Sequence, residues 1–318
     1  MENLANDKIL MGIYHLDTRW CSHRDFDYVT RELKIVNTVR IATEGVASVE
    51  YAAKWAKEYG GSIWLAAPTF FSKKETIEEY IEGLVKYVDK LKKVDAWDAV
   101  IGFQWDEPLL KKGHTNEDFL AMTKAVSETF GKRIFPVFSF YEIVGKRGND
   151  GDPDFQWLLR KECSEYITDV AFDVYGFDFT NPSDERTLNE YKRMERSYGV
   201  PFTCAEDVFE YHTKATLDLM MYPDKVKVWY FPDGYICGKR TGPAGSVTEQ
   251  DCVNSLVGLK NLLLKQKNPG GLFTYTFKSW GDHDALDWHL DRDNPNQWKN
   301  YIKASQEVFE ELSKVEIK

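Results

Sequence analysis

Short apolar runs rich in β-branched and aromatic residues alternate along this chain with stretches whose apolar residues recur every three or four positions. The first kind of pattern predicts strands and the second amphipathic helices. Residues 8–16 (KILMGIYHL) read as a first strand, followed by a helix over 24–33. Residues 37–43 (NTVRIAT) form a second strand, and the helix over 49–59 stops at Gly60-Gly61. A third strand, 62–67 (SIWLAA), ends at Pro68. The helix over 74–93 then places Ile77, Ile81, Leu84, Val85, Val88 and Leu91 on one face. Residues 99–105 (AVIGFQW) are a fourth strand, continuous enough to be covered on both faces, and a helix over 116–130 follows.

The alternation continues to the end. Strands are expected at 133–140 (RIFPVFSF), 169–175 (DVAFDVY), 200–205 (VPFTCA), 225–231 (KVKVWYF) and 271–277 (GLFTYTF). Helices are expected over 184–198, 208–221, 247–267 and 296–314. That makes nine strand candidates for a repeat whose closed form, the (β/α)8 TIM barrel, takes eight. The expected fold class is therefore α/β: a single barrel domain over 1–318, with 225–231 as an extra strand or hairpin in the seventh connection. The other count makes 225–231 a barrel strand and shifts the numbering.

The fourth strand runs without a turn signal into Asp106-Glu107-Pro108. Proline donates no ladder hydrogen bond, so pairing stops there and two carboxyl groups stand at the carboxyl end of a core strand. That is the end at which α/β barrels carry their chemistry. A partly desolvated carboxyl group has a raised pKa and suits general-acid work; the same pair also suits a helix N-cap. The strand at 200–205 ends in a second acid pair, Glu206-Asp207.

Composition narrows the partners. A net charge of −10 speaks against nucleic acid, and 14% aromatic content with ten tryptophans suits stacking on sugar rings as well as core packing. Five cysteines without a CxxC pair fit neither a disulfide framework nor a zinc site. The acidic stretch 281–287, with His289 and Asp291 beyond it, lacks EF-hand or HExxH spacing and reads as a solvated loop. No cofactor or metal is expected. No 18-residue apolar run and no basic-then-apolar leader is present, so the expectation is a cytoplasmic protein, or a secreted one if the sequence has been trimmed, without a membrane partner.

At this point the chain resembles the (β/α)8 glycoside hydrolase superfamily, the clan with catalytic glutamates on strands four and seven. Trp105-Asp-Glu-Pro108 is similar to the family's Asn-Glu-Pro, and the stretch 198–206 (YGVPFTCAE) to its seventh strand. The stretch 271–280 (GLFTYTFKSW) is similar to an aromatic-ended eighth strand. The resemblance implies a retaining glycosidase acting on an oligosaccharide or glycoconjugate, with Glu107 as acid/base and Glu206 as nucleophile. Asp106 stands where the family has Asn, and Asp-Glu-Pro resembles substrate-assisted N-acetylhexosaminidases. In those, Asp106 would orient the substrate's acetamido group and Glu206 would only bind. Expected substrate-binding residues are His15, Asp17, Trp105, Tyr141, Asp173, Tyr175, Asp207, Trp229 and Trp280, with Tyr14, Glu44, Phe140, Glu142, Asp233, Asp282, His283 and Asp284 beside them. A non-catalytic glycan-binding barrel and a metal-dependent lyase or aldolase stay open as other readings.

Overall fold

The computed structural model describes residues 8–42, 45–66, 76–109, 114–144, 158–175, 177, 179–180, 183, 185–237, 248–277, 279 and 283–315. Eight parallel strands form the barrel: β1 (Leu10–Ile13), β2 (Thr38–Ala42), β3 (Ser62–Ala66), β4 (Val100–Asp106), β5 (Arg133–Ser139), β6 (Asp169–Asp173), β7 (Lys227–Tyr230) and β9 (Pro269–Thr274). Their spatial order, β1-β9-β7-β6-β5-β4-β3-β2, is the order of the chain, as a right-handed βα repeat gives. Asn37 joins the two ends of the sheet. Its backbone N–H donates to the Met11 carbonyl at 2.9 Å, and its side-chain oxygen accepts from the Met11 N–H at 2.7 Å.

The helices pack around the outside. They include α2 (Val46–Tyr59), α3 (Ile77–Lys93), α4 (Asn116–Phe130), α6 (Glu185–Tyr198), α7 (Ala205–Asp218), α8 (Glu249–Leu264) and α10 (Lys299–Ser313), with the shorter α1 (His23–Asp27), α5 (Phe140–Val144) and α9 (Leu286–His289) at their ends. Capping boxes fix several starts: Ser22 with Asp25, Thr76 with Glu79, Thr115 with Asp118, and Thr248 with Asp251. Gly60 and Gly131 close α2 and α4 in the left-handed region that ends a helix cheaply.

The period of two along each strand separates two apolar sets. Met11, Ile41, Leu65, Phe103, Phe138, Phe172 and Tyr230 face the helices, whereas Leu10, Trp64, Phe135, Ala171, Trp229 and Phe273 fill the barrel. The indoles of Trp64 and Trp229 meet edge to face at 5.7 Å, and Trp229 stacks on Phe273 at 5.3 Å. Glycine makes the room: a Cβ on Gly102 would stand 2.3 Å from the Trp64 ring. At the amino end, Asp169 accepts from Arg133 Nε at 2.8 Å and from Trp229 Nε1 at 2.8 Å. The barrel is thus plugged at its amino end, and the polar inward residues stand at its carboxyl end.

The strand count is corrected in one place. Residues 200–205 are not a strand: 200–204 link α6 to α7. Pro201 has no N–H for a ladder, Phe202 donates its N–H to the Glu195 carboxylate at 3.3 Å, and its ring packs on Tyr198 and Tyr211. The segment around 225–231 is no extra: it holds barrel strand seven, β7, paired with β6 and β9. The additional two-stranded ribbon is antiparallel and joins β8 (Tyr235–Cys237) to β10 (His283–Ala285).

Candidate active site

The mouth is built from the first inward position beyond each strand's packed interior. After β1, Tyr14 keeps the ladder going: its N–H donates to the Thr274 carbonyl at 2.9 Å and its carbonyl accepts from Phe277 at 2.8 Å. This fixes the phenol over the interior, edge-on to Phe231 and Phe273. Its hydroxyl donates to Asp106 Oδ1 at 3.2 Å. From β2, the Arg40 guanidinium lies over the same ring, 4.2 Å from its centroid. From the end of β9, Tyr275 stands 5.7 Å from Tyr14 and 5.1 Å from Tyr175. The Tyr175 hydroxyl donates to Asp173 Oδ1 at 2.8 Å. His15 Nδ1 is hydrogen-bonded with the Thr276 hydroxyl at 2.7 Å.

These groups share one electrostatic environment. Burial raises the Tyr14 phenol well above its ordinary 10; Arg40 opposes this, and Asp106 and Asp173 add to it. Burial, then Asp173 and Asp106, push Tyr275 up to about 12, with Arg40 again opposing. Both carboxylates therefore act on both phenols, and both phenols remain hydrogen-bond donors at neutral pH.

Glu107 follows Asp106 with a backbone φ of 44°, a left-handed conformation unusual for a side chain of this size. Its N–H donates to the Val137 carbonyl at 2.8 Å, so the ladder with β5 holds the turn. The side chain is half-buried and its Oε2 is shielded from solvent. Glu142 secures the same turn from below. Wholly buried, it accepts from the Leu109 N–H and from the Ser139 N–H, each at 2.6 Å, and so ties the Asp-Glu-Pro segment to the end of β5.

Several expected residues have other positions. Asp17 is buried and braces the first loop, accepting from the Ala42 N–H at 3.0 Å and the Arg19 N–H at 2.9 Å. Trp105 has the opposite parity to Asp106 and packs in the outer layer near Phe103, so it is core rather than sugar platform. Trp229 belongs to the plugged interior, with no exposed surface. Tyr141 is half-buried beside Phe140 in α5. Glu206 and Asp207 occupy the first turn of α7, where acids complement the helix dipole, and not the end of a barrel strand. That removes the strand-seven premise for Glu206. Trp280, Glu44 and Asp282 lie outside the described residues, as do the side chains of His283 and Asp284.

The chain's pattern also held two residues not singled out before. Arg40 sits between the outward Val39 and Ile41, so parity alone aims it inward, and Tyr275 lies two residues beyond the inward Phe273.

No family model and no curated protein sequence matches the chain. Solved structures share its fold. A β-glucuronidase from Ruminococcus gnavus superposes with a TM-score of 0.54 at 12% identity over 96% of this chain and 50% of that one. The same enzyme in complex with D-glucuronic acid gives 0.54 and 12% over 95% and 49%. An active-site mutant of the Rhizomucor miehei β-1,3-glucanosyltransferase in complex with laminaritriose gives 0.52 at 11% identity over 84% and 86%. These neighbours are glycoside hydrolases and transglycosylases built on the (β/α)8 barrel. The chain spans about half the length of the glucuronidase chain.

Proposed function

We propose that this chain is a glycoside hydrolase acting on an oligosaccharide or glycoconjugate, with Glu107 as the proton donor to the leaving oxygen. The observation that carries the reading is the end of β4. Asp106 is held by the Tyr14 hydroxyl, and the acid that follows it has one carboxyl oxygen shielded from water. Partial desolvation favours the protonated form that a general acid needs. At the same end of the barrel the half-buried Tyr175 and Tyr275 carry apolar ring faces with polar edges, and Arg40 a charged donor, the chemistry that binds a pyranose. The fold likeness to carbohydrate-active barrels supports the same reading by analogy.

A panel of aryl glycosides, including uronides and 2-acetamido sugars, tests it. Turnover of at least one of them by the wild type, with a loss of roughly 10²–10⁴-fold in Glu107→Gln, is the expected result. Sugar binding without turnover in either protein would make the chain a glycan-binding barrel.

One observation favours a second reading. Asp106 directly precedes the proposed acid, the order that substrate assistance uses, with the aspartate steering the substrate's own acetamido group. That reading predicts turnover of 2-acetamido sugars alone and inhibition by a thiazoline mimic of the cyclised intermediate.

A further inference from the structure

With Glu206 in the helix layer, a retaining reaction needs another carboxylate at the mouth. We infer that Asp173, on β6, is the nucleophile that partners Glu107. The inference rests on the reading of the chain as a glycoside hydrolase with Glu107 as proton donor.

Position argues for Asp173 over Asp106. A nucleophile and a proton donor work on the two sides of one glycosidic bond, so they come from different strands; Asp106 adjoins Glu107 on the same one. Register gives the height. Asp106 pairs in register with Val137, Val137 with Ala171, and Ser139 with Asp173. In a tilted eight-strand barrel the register slips by about one residue per strand, as Trp64 meeting Phe135 rather than Arg133 inside the barrel illustrates. Asp173 therefore stands in the same inward layer as Asp106, at the strand end from which Glu107 follows. Strands lie about 4.8 Å apart, so β4 and β6 backbones are separated by ~10 Å. Strands so spaced can bring two carboxyl groups within the 5–5.5 Å of a retaining pair.

The surroundings fit the role. Tyr175 donates to Asp173 Oδ1 at 2.8 Å, which fixes the plane of the carboxylate, and Tyr275 packs 5.1 Å from the Tyr175 ring. Asp173 raises the phenols of both Tyr14 and Tyr275, so its charge acts on both rings. In the first step an Asp173 oxygen bonds to the anomeric carbon. The bond from that carbon to the leaving oxygen breaks, and the Glu107 proton goes to that oxygen. In the second step a water oxygen bonds to the anomeric carbon as the Asp173–carbon bond breaks, which restores the Asp173 carboxylate, and Glu107 takes back a proton from the water.

The test uses a glycoside that the wild type turns over. Its 2-deoxy-2-fluoro analogue with a good leaving group should label Asp173, found by peptide mapping of the intact chain. Asp173→Ala should lose roughly 10³-fold or more in kcat. Azide should restore activity and yield a glycosyl azide of inverted configuration. Asp173→Asn, close in shape, should be equally inactive while keeping the wild-type circular dichroism spectrum. A label on Asp106 or elsewhere, Asp173→Ala within tenfold of wild type, or inverted configuration in the wild-type product overturns the assignment and leaves Glu107 standing. Thiazoline inhibition without any label overturns it in favour of substrate assistance. If Glu107→Gln is also without effect, or the wild type turns over no glycoside, the reading beneath it fails as well.

Discussion

Tyr14 and Asp106, 92 positions apart in sequence, meet across the barrel mouth with the tyrosine hydroxyl 3.2 Å from Oδ1. The phenol is buried and its pKa lies well above 10, so it stays a donor throughout the neutral range. Tyr14→Phe removes only that donor and keeps the ring among Phe231 and Phe273. A hydrogen bond to a charged group is worth about 1.5–3 kcal/mol, so kcat/KM should fall roughly 10–100-fold. Steady-state kinetics at pH 7 measures this, and an unchanged kcat/KM would remove Asp106 from the reaction.

Glu142 should matter for stability. Its two oxygens serve two backbone donors in a fully buried place. In Glu142→Gln one of those donors faces an amide NH2 instead of an acceptor. Urea denaturation should show a loss of roughly 1.5–3 kcal/mol, with Ser139 and Leu109 amides gaining hydrogen exchange.

His212 gives a pH signature. Buried between Phe140 and Phe172 and hydrogen-bonded through Nδ1 with the Tyr198 hydroxyl, it has its pKa lowered by burial, then by Arg193, from 6.5 to about 3. The folded state keeps it neutral where the unfolded chain takes up a proton. Its stabilising contribution is therefore complete above 6.5 and is lost as pH falls toward 3. Unfolding free energy should decline by about 1.4 kcal/mol per pH unit in that window. In His212→Gln this part of the slope should vanish.

Much of this architecture is written in local pattern. The β4 stretch and the Gly60 stop are each specified by neighbouring residues, and they fall where period and cap chemistry put them. The seventh strand is different. VPFTCA and KVKVWYF are both short apolar runs, and periodicity does not separate them; Lys227–Tyr230 wins because its edges meet β6 and β9, a tertiary fact. The error carried Glu206 with it. Trp105 and Trp229 show the second gap. Residue type marked both as sugar platforms, while strand parity and depth in the barrel assign both to packing. The same parity would have found Arg40 and Tyr275.

The central claim concerns a proton moving from Glu107 to the departing oxygen, and leaving-group dependence tests it most directly. Across aryl glycosides of one sugar, with phenols of increasing pKa, kcat/KM of the wild type should change little. That of Glu107→Gln should fall steeply, because poor leaving groups need the proton most. Parallel lines for the two proteins would contradict the account.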